Sequence, residues 1–215
     1  MPLGFFSILY NGRVESTLEN SPNRNDTVAA VILAAGQGER FEGETHKLLA
    51  PFRGKPVLQW VIDAASDADF DDIYLISGSV DFKEEERLDI FRHGVTIVEN
   101  YNFEDGQATS LRSAIAVAEH DKHSAIVVGL GDMPLVPSTA WRAVAESTAQ
   151  LGVATFAGNR RPPVKIHHEL WPLIPISGDE GARSLLRLRP DLVNEIPCDG
   201  NPIDIDTRGD LERWN

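Results

Sequence analysis

Short apolar runs alternate with stretches of helical periodicity from Val28 onward, and that alternation limits the fold more than any other feature. Residues 28–34, 72–77, 95–99 and 124–130 read as buried strands. Between them, 54–65 places Val57, Leu58, Val61, Ile62 and Ala65 on one helical face, and 108–119 turns Leu111, Ile115 and Ala118 inward. A further helix spans 138–147, opened by Pro137 and Ser138. Residues 153–156 and 164–166 read as strands around a turn at 158–163, 181–189 as a short helix and 210–214 as a last helical turn. The acidic run 83–89 reads as a solvated helix face. Strand–helix alternation predicts an α/β chain with a mostly parallel sheet and helices on both faces, and 215 residues suffice for one large domain of this kind or two small ones. Ligands in such sheets lie beyond the carboxyl ends of the strands.

The bulk numbers exclude several partners. Acidic residues outnumber basic ones 33 to 20, a formal charge of −13, which opposes non-specific binding to nucleic acid or anionic membrane. No apolar run approaches the roughly 20 residues that span a bilayer. The single cysteine, Cys198, allows no intrachain disulfide and no cysteine-based zinc site, and a reducing cytoplasm is the expected compartment. The apolar start at 3–9 lacks a basic segment before it and a small-residue cleavage site, so no signal peptide is expected. Residues 1–26 are expected to form a polar extension ahead of a domain at 27–215.

The chemistry-bearing stretches follow strand ends. The first strand runs into Ala34, Ala35, Gly36, Gln37 and Gly38, with Arg40 and Lys47 just beyond. Such a loop can turn several amides toward one anion while the cations add charge, and a polyphosphate is the obvious guest. Phe41 stands where a dinucleotide fingerprint has its third glycine, and no Walker A pattern occurs. Asp132, between Gly131 and a proline-rich turn, is placed either to hold Mg²⁺ on phosphates or to cap its own turn. Asp204 and Asp206 follow Pro202, and alternation puts both on one side without choosing a second metal ligand between them. Gly106 to Arg112 opens a helix with hydroxyls at Thr109 and Ser110, able to read a base or serve as a plain cap. Arg183, in the stretch after Gly178 and Asp179, could grip an anionic substrate or stay solvated. The histidines lack ligand spacing, with His167 and His168 expected to diverge and most of the six to lie at the surface. No serine-hydrolase elbow is present, and Cys198 carries no reactive signature.

Taken in order, these blocks resemble the MobA-like NTP transferases, and among them the molybdenum cofactor cytidylyltransferases. Leu33 to Phe41 with Lys47, Gly106 to Leu111, Gly131 to Pro134, Gly178 to Arg183, and Asp204 to Leu211 match the family's motifs across about 28–214. The resemblance implies a single Rossmann-like domain of the GT-A type and transfer of a nucleotidyl group from an NTP to a phosphate-bearing acceptor with Mg²⁺. For the cytidylyltransferase branch it implies CTP and molybdopterin as substrates, pyrophosphate as product, and a molybdenum hydroxylase as recipient. It implies the backbone at Ala34 to Gly38 for the nucleotide, Arg40 and Lys47 on the triphosphate, and Asp132 and Asp206 on the metal. Gly106, Thr109 and Ser110 would approach the base, and Asp179 and Arg183 the acceptor. Three stretches depart from the pattern: a longer Arg40-to-Lys47 spacing, Gln107 to Thr109 in the base block, and Arg161 to Val164 near the acceptor. A sugar phosphate or phospholactate acceptor, or a non-catalytic nucleotide-binding partner of a molybdenum hydroxylase, are the alternatives.

Overall fold

In the computed structural model, residues 27–215 are described, except 43, 44, 84 and 91. The expected extension at 1–26 lies outside the described residues. The strands are β1 (Val28–Leu33), β2 (Pro51–Phe52), β3 (Lys55–Pro56), β4 (Asp72–Ser77), β5 (Thr96–Glu99), β6 (Ala125–Leu130), β7 (Leu151–Phe156), β8 (Asn159–His167) and β9 (Val193–Pro197). The α-helices are α1 (Val57–Ser66), α2 (Gln107–His120), α3 (Ser138–Ala145), α4 (Ala182–Leu188) and α5 (Arg208–Trp214). Seven strands form one sheet in the order β5-β4-β1-β6-β8-β7-β9, and β2 and β3 make a small hairpin. Strands β5, β4, β1 and β6 run parallel, β8 runs antiparallel to both neighbours, and β9 runs parallel to β7.

The sheet is covered on both faces, as its apolar central strands require. Alternate residues of β1 point to opposite sides: Ala30 and Ile32 join Leu58, Ile62 and Trp141 of α1 and α3, whereas Ala29 and Val31 join Leu111, Ala114 and Ala118 of α2. Gly129 exists for Trp141, because a Cβ there would collide with the indole ring.

Several boundaries differ from the sequence reading. Helix α1 starts at Val57 because Lys55 and Pro56 pair with Phe52 and Pro51. The 83–89 run forms turns among its described residues, with Leu88 buried, so it is no solvated helix. The turn after β7 is shorter than expected, since Asn159 already pairs with Phe156. The register shifts where Ala154 pairs with Arg161 after Val153 pairs with Val164, so Pro162 and Pro163 sit in a bulge, which suits residues without an N–H to give. Helix α5 begins two residues early with a capping box: Asp210 N donates to Thr207 Oγ1 at 3.1 Å and Thr207 N to Asp210 Oδ2 at 2.9 Å. Thr207→Ala is expected to cost about 1 kcal/mol in urea unfolding, with no change if the cap is idle.

Candidate functional site

Parallel register brings the site together. Leu33 pairs with Leu130, so the glycine loop and Gly131-Asp132 leave the sheet side by side, and Gly131 N donates to Leu33 O at 2.9 Å. The C-terminal segment is laid alongside by Ile205, whose N donates to Asp132 O at 2.9 Å. Its fully buried side chain packs with Phe52, Val57, Trp60, Leu211 and Trp214.

The loop's carbonyls are tied down and its amides are not. Gly36 O accepts from Ser79 Oγ at 2.8 Å and faces His46 Nε2 at 3.0 Å, while Ser79 N donates to Ala35 O. Among the described residues, the N–H groups of Gly36, Gln37 and Gly38 donate to nothing. Backbone amides left this way form an anion cradle. His46 is a working part of it rather than a surface histidine. Leu48 N donates to its Nδ1, so Nε2 carries the proton and donates to Gly36 O. Burial holds its pKa below the usual imidazole value, which keeps it in this neutral form. Gly38 takes a positive φ of 66°, and a Cβ there would press on His46 at 3.1 Å.

Lys47 enters on a 3₁₀ turn, Lys47–Leu49, anchored by buried Leu48 and Leu49. Its Nζ lies 2.6 Å from Asp132 Oδ2 and 3.0 Å from Asp206 Oδ1. Burial works against its charge, but the two carboxylates outweigh that and lift the ammonium above the ordinary lysine pKa. Arg40 pairs with Asp206 Oδ2 at 3.0 Å from an exposed position, so it stays free to turn toward a ligand. Asp132 Oδ1 is buried with no hydrogen-bond partner among the described residues. An unpartnered carboxylate oxygen beside a second carboxylate is a hard-oxygen donor set that fits Mg²⁺ or Mn²⁺.

Asp204 and Asp206 separate in function. Asp206 faces Lys47 and Arg40, whereas Asp204 reaches Arg161 Nη1 at 3.4 Å. Burial, then the charge of Asp132, raises the Asp204 pKa, against the pull of Arg161. A carboxyl raised in the folded state favours folding while protonated and loses that contribution as pH climbs through its folded pKa. Asp204→Asn is therefore expected to melt higher than the parent at pH 7, with the gap closing as pH falls toward about 4. A gap independent of pH in melting scans would count against this account.

The other expected residues fall into two adjoining hollows. Gly36, Gln37, Gly38, Arg40, Lys47, Gly106, Asp179 and Asp206 line a cleft of about 800 Å³, continuous with a smaller hollow over Ala34, Ala35, Ser110 and Asp132. The Thr109 hydroxyl is spent internally, on Asn102 O and Gly106 O and on the Asn100 amide. Ser110 Oγ also accepts from Asn100 but remains at the cleft wall. Arg183 stands apart from Asp179, in a separate cavity of about 270 Å³ with Arg160, Arg161 and Gln107. Sequence reasoning missed His46 and Arg160 as site residues. The departures at Gln107 and Arg161 flagged the neighbourhood of Arg160.

His167 and His168 do not diverge. Their ring centroids are 4.3 Å apart, because strand alternation ends where the 3₁₀ turn His168–Leu173 begins. With Glu169 they place three donor atoms within 4.8 Å of one another. His167 pairs next to Ala125 at the start of β6, so the group lies at the opposite end of the sheet from Asp132.

Among the described residues no helix is long and apolar enough to cross a membrane. Rv0371c from Mycobacterium tuberculosis H37Rv is similar in structure, with a TM-score of 0.76 and 28% identity over 88% of this chain and 97% of that one. That mycobacterial protein has also been solved in complex with manganese. The bifunctional protein GlmU of Zymomonas mobilis is 31% identical over 168 residues, 76% of this chain. The chain spans only 23–30% of the length of the first such GlmU relatives. Nicotine blue oxidoreductase of Paenarthrobacter nicotinovorans is 28% identical over 193 residues, 84% of this chain and 92% of that one. Residues 30–194 match the family model described as the MobA-like NTP transferase domain. With that match over most of its length, and a glycine-loop cleft suited to a triphosphate, the chain belongs to the MobA-like NTP transferases.

Proposed function

We propose that the protein transfers CMP from CTP to the phosphate of a small organic acceptor, with molybdopterin or its molybdenum-loaded form as the favoured one, and releases pyrophosphate. The observation that carries this reading is the Lys47 ammonium held between Asp132 and Asp206 at the mouth of an unsatisfied amide loop. An acceptor phosphate oxygen attacks the α-phosphorus. The bond from that phosphorus to the bridging oxygen breaks, and pyrophosphate leaves with the electron pair. No protein nucleophile is required, so the chain's part is positioning and charge neutralisation. The amides of Gly36, Gln37 and Gly38 seat the phosphates, since that of Ala34 donates to Ile76 O at 2.9 Å, and Arg40 and Lys47 turn to them from Asp206. Gly106 and Ser110 wall the base side, with Thr109 holding Asn100 behind them. Arg183 faces the acceptor in the adjoining cavity, and Asp179 walls the cleft beside it. Asp132 and Asp206 would hold Mg²⁺, which when bound neutralises the triphosphate and the leaving pyrophosphate. CTP is favoured by the likeness of Ala34-Ala35-Gly36 to the cytidylyltransferase opening. A cytoplasmic setting and a molybdenum hydroxylase as recipient of the product accompany that choice.

The test is pyrophosphate release with Mg²⁺ and each of CTP, GTP, ATP and UTP, with and without molybdopterin. Release with CTP and molybdopterin together is the expected result. Binding of NTP without release under any pairing would replace this reading with the nucleotide-binding partner.

A second reading has one observation behind it. A relative that matches 84% of this chain is named an oxidoreductase. Against it, Phe41 stands where a dinucleotide loop has its third glycine. Oxidation of NADH or NADPH by the purified protein, without any NTP, would establish it.

A further inference from the structure

The cavity beside the cleft is built unlike the cleft itself. Its walls are Leu33, Val128, Leu130, Val153, Val164 and Leu186, drawn from the sheet and α4. Over them stand three guanidinium groups, Arg160 and Arg161 from the start of β8 and Arg183 from α4, in a chain whose formal charge is −13. Leu33, Leu130 and Gln107 also line the hollow that holds Asp132 and Lys47, so the two spaces adjoin across a shared wall. Arg161 touches Asp204 at 3.4 Å, at the junction with the Asp206 segment. Arg160 pairs at the surface with Glu195 at 2.7 Å, a contact of little energetic weight. Arg183 makes no ion pair among the described residues.

Apolar walls cannot satisfy the hydroxyls of a sugar, each of which would be buried at a cost. Three guanidinium groups are also more than one attacking phosphate needs, since a single guanidinium can hold an oxyanion through two bonds. We propose that this cavity is the acceptor's binding site. Its acceptor is an organic phosphate with an apolar body and a second anionic group, held by Arg161 at the phosphate and by Arg183 with Arg160 at the far group. The proposal rests on the nucleotidyl-transfer reading for the word acceptor, but the cavity's selectivity can be measured without turnover.

The experiment titrates 4-carboxyphenyl phosphate, phenyl phosphate and glucose 1-phosphate into the full chain saturated with CTP and Mg²⁺, by calorimetry. The expected order is 4-carboxyphenyl phosphate tighter than phenyl phosphate by about tenfold, the worth of one charged hydrogen bond, with glucose 1-phosphate weakest. Arg183→Gln is expected to erase the difference between the first two probes, and Arg161→Gln to weaken both about tenfold. Arg183 is exposed, so its replacement leaves folding out of the question. Equal affinity for the two aryl phosphates, a difference that survives in Arg183→Gln, or glucose 1-phosphate binding as tightly as either would overturn the proposal. Failure of CTP itself to bind would sink the nucleotide reading alone, because the same probes titrated without CTP still report on the cavity.

Discussion

Asp132→Ala is expected to lower turnover by about 10³-fold or more, equivalent to about 4 kcal/mol of transition-state stabilisation, while the protein stays folded. Two observations separate the effects. The side chain offers an oxygen, Oδ1, that is buried and finds no partner among the described residues, so its loss removes a desolvation cost rather than a bond. Its other oxygen shares Lys47 with Asp206, which remains to hold the ammonium at 3.0 Å. The contact that fixes the C-terminal segment is made by the backbone, Ile205 N to Asp132 O, and survives the substitution. Unfolding free energy should therefore change by no more than about 2 kcal/mol. Pyrophosphate release measures the first part and urea unfolding the second. A variant that keeps the parental rate removes Asp132 from the reaction. One that fails to fold shows the residue to be structural.

Gly106→Ala is expected to be the most damaging single methyl group in the site. Gly106 has φ 98° and ψ 172°, a backbone region open essentially to glycine alone. A Cβ there would also lie 2.5 Å from the Gly178 carbonyl carbon, and backbone cannot step aside as a flexible side chain can. The two segments are joined on either side of that point, by Ala108 N to Gly178 O and by Gly178 N to Asp105 O, both at 2.8 Å. Strain and overpacking together predict a loss of about 2–5 kcal/mol, with weaker CTP binding because Gly106 and Asp179 both wall the cleft. Gly158→Ala is the control. It has φ 80° but nothing within 4 Å of the added methyl, so only the backbone penalty of about 1–2 kcal/mol applies. Equal losses at both positions would show that the 106–178 contact adds nothing.

Much of this architecture could be read from the residues in order, and the reasons for the rest are physical. The central strands are apolar on both faces, so β1, β4 and β6 stand out as continuous runs, and the helices between them show their buried faces by period. Strand β9, Val-Asn-Glu-Ile-Pro, is half exposed at the sheet edge and has no such run. The first half of β8 holds two arginines and two prolines, a composition that suggests a loop until β7 is seen to template it. Lys47 and Asp206 are separated by 159 positions. Burial of Ile205 turns Asp204 and Asp206 to the same side, and their division between Arg161 and Lys47 depends on side chains far away in the chain. His46 carried no local mark at all, since its role depends on a carbonyl ten residues earlier.

The reversed direction of β8 has a consequence for how such a protein can change over time. The parallel strands β1 and β6 deliver their loops to the rim by their trailing ends, at Ala34 and Gly131, whereas β8 reaches the same rim with its leading residues, Asn159 to Arg161. The chain that seats a nucleotide and the chain beside the second cavity are thus different stretches with different anchors. Substitutions at 159–161 fall on exposed or half-exposed positions next to a bulge, where sheet pairing tolerates them. Substitutions at 34–38 fall on a loop whose carbonyls are all but committed. Selection can therefore retune one end of the rim for new small molecules while the other end, and the chemistry it supports, is inherited unchanged.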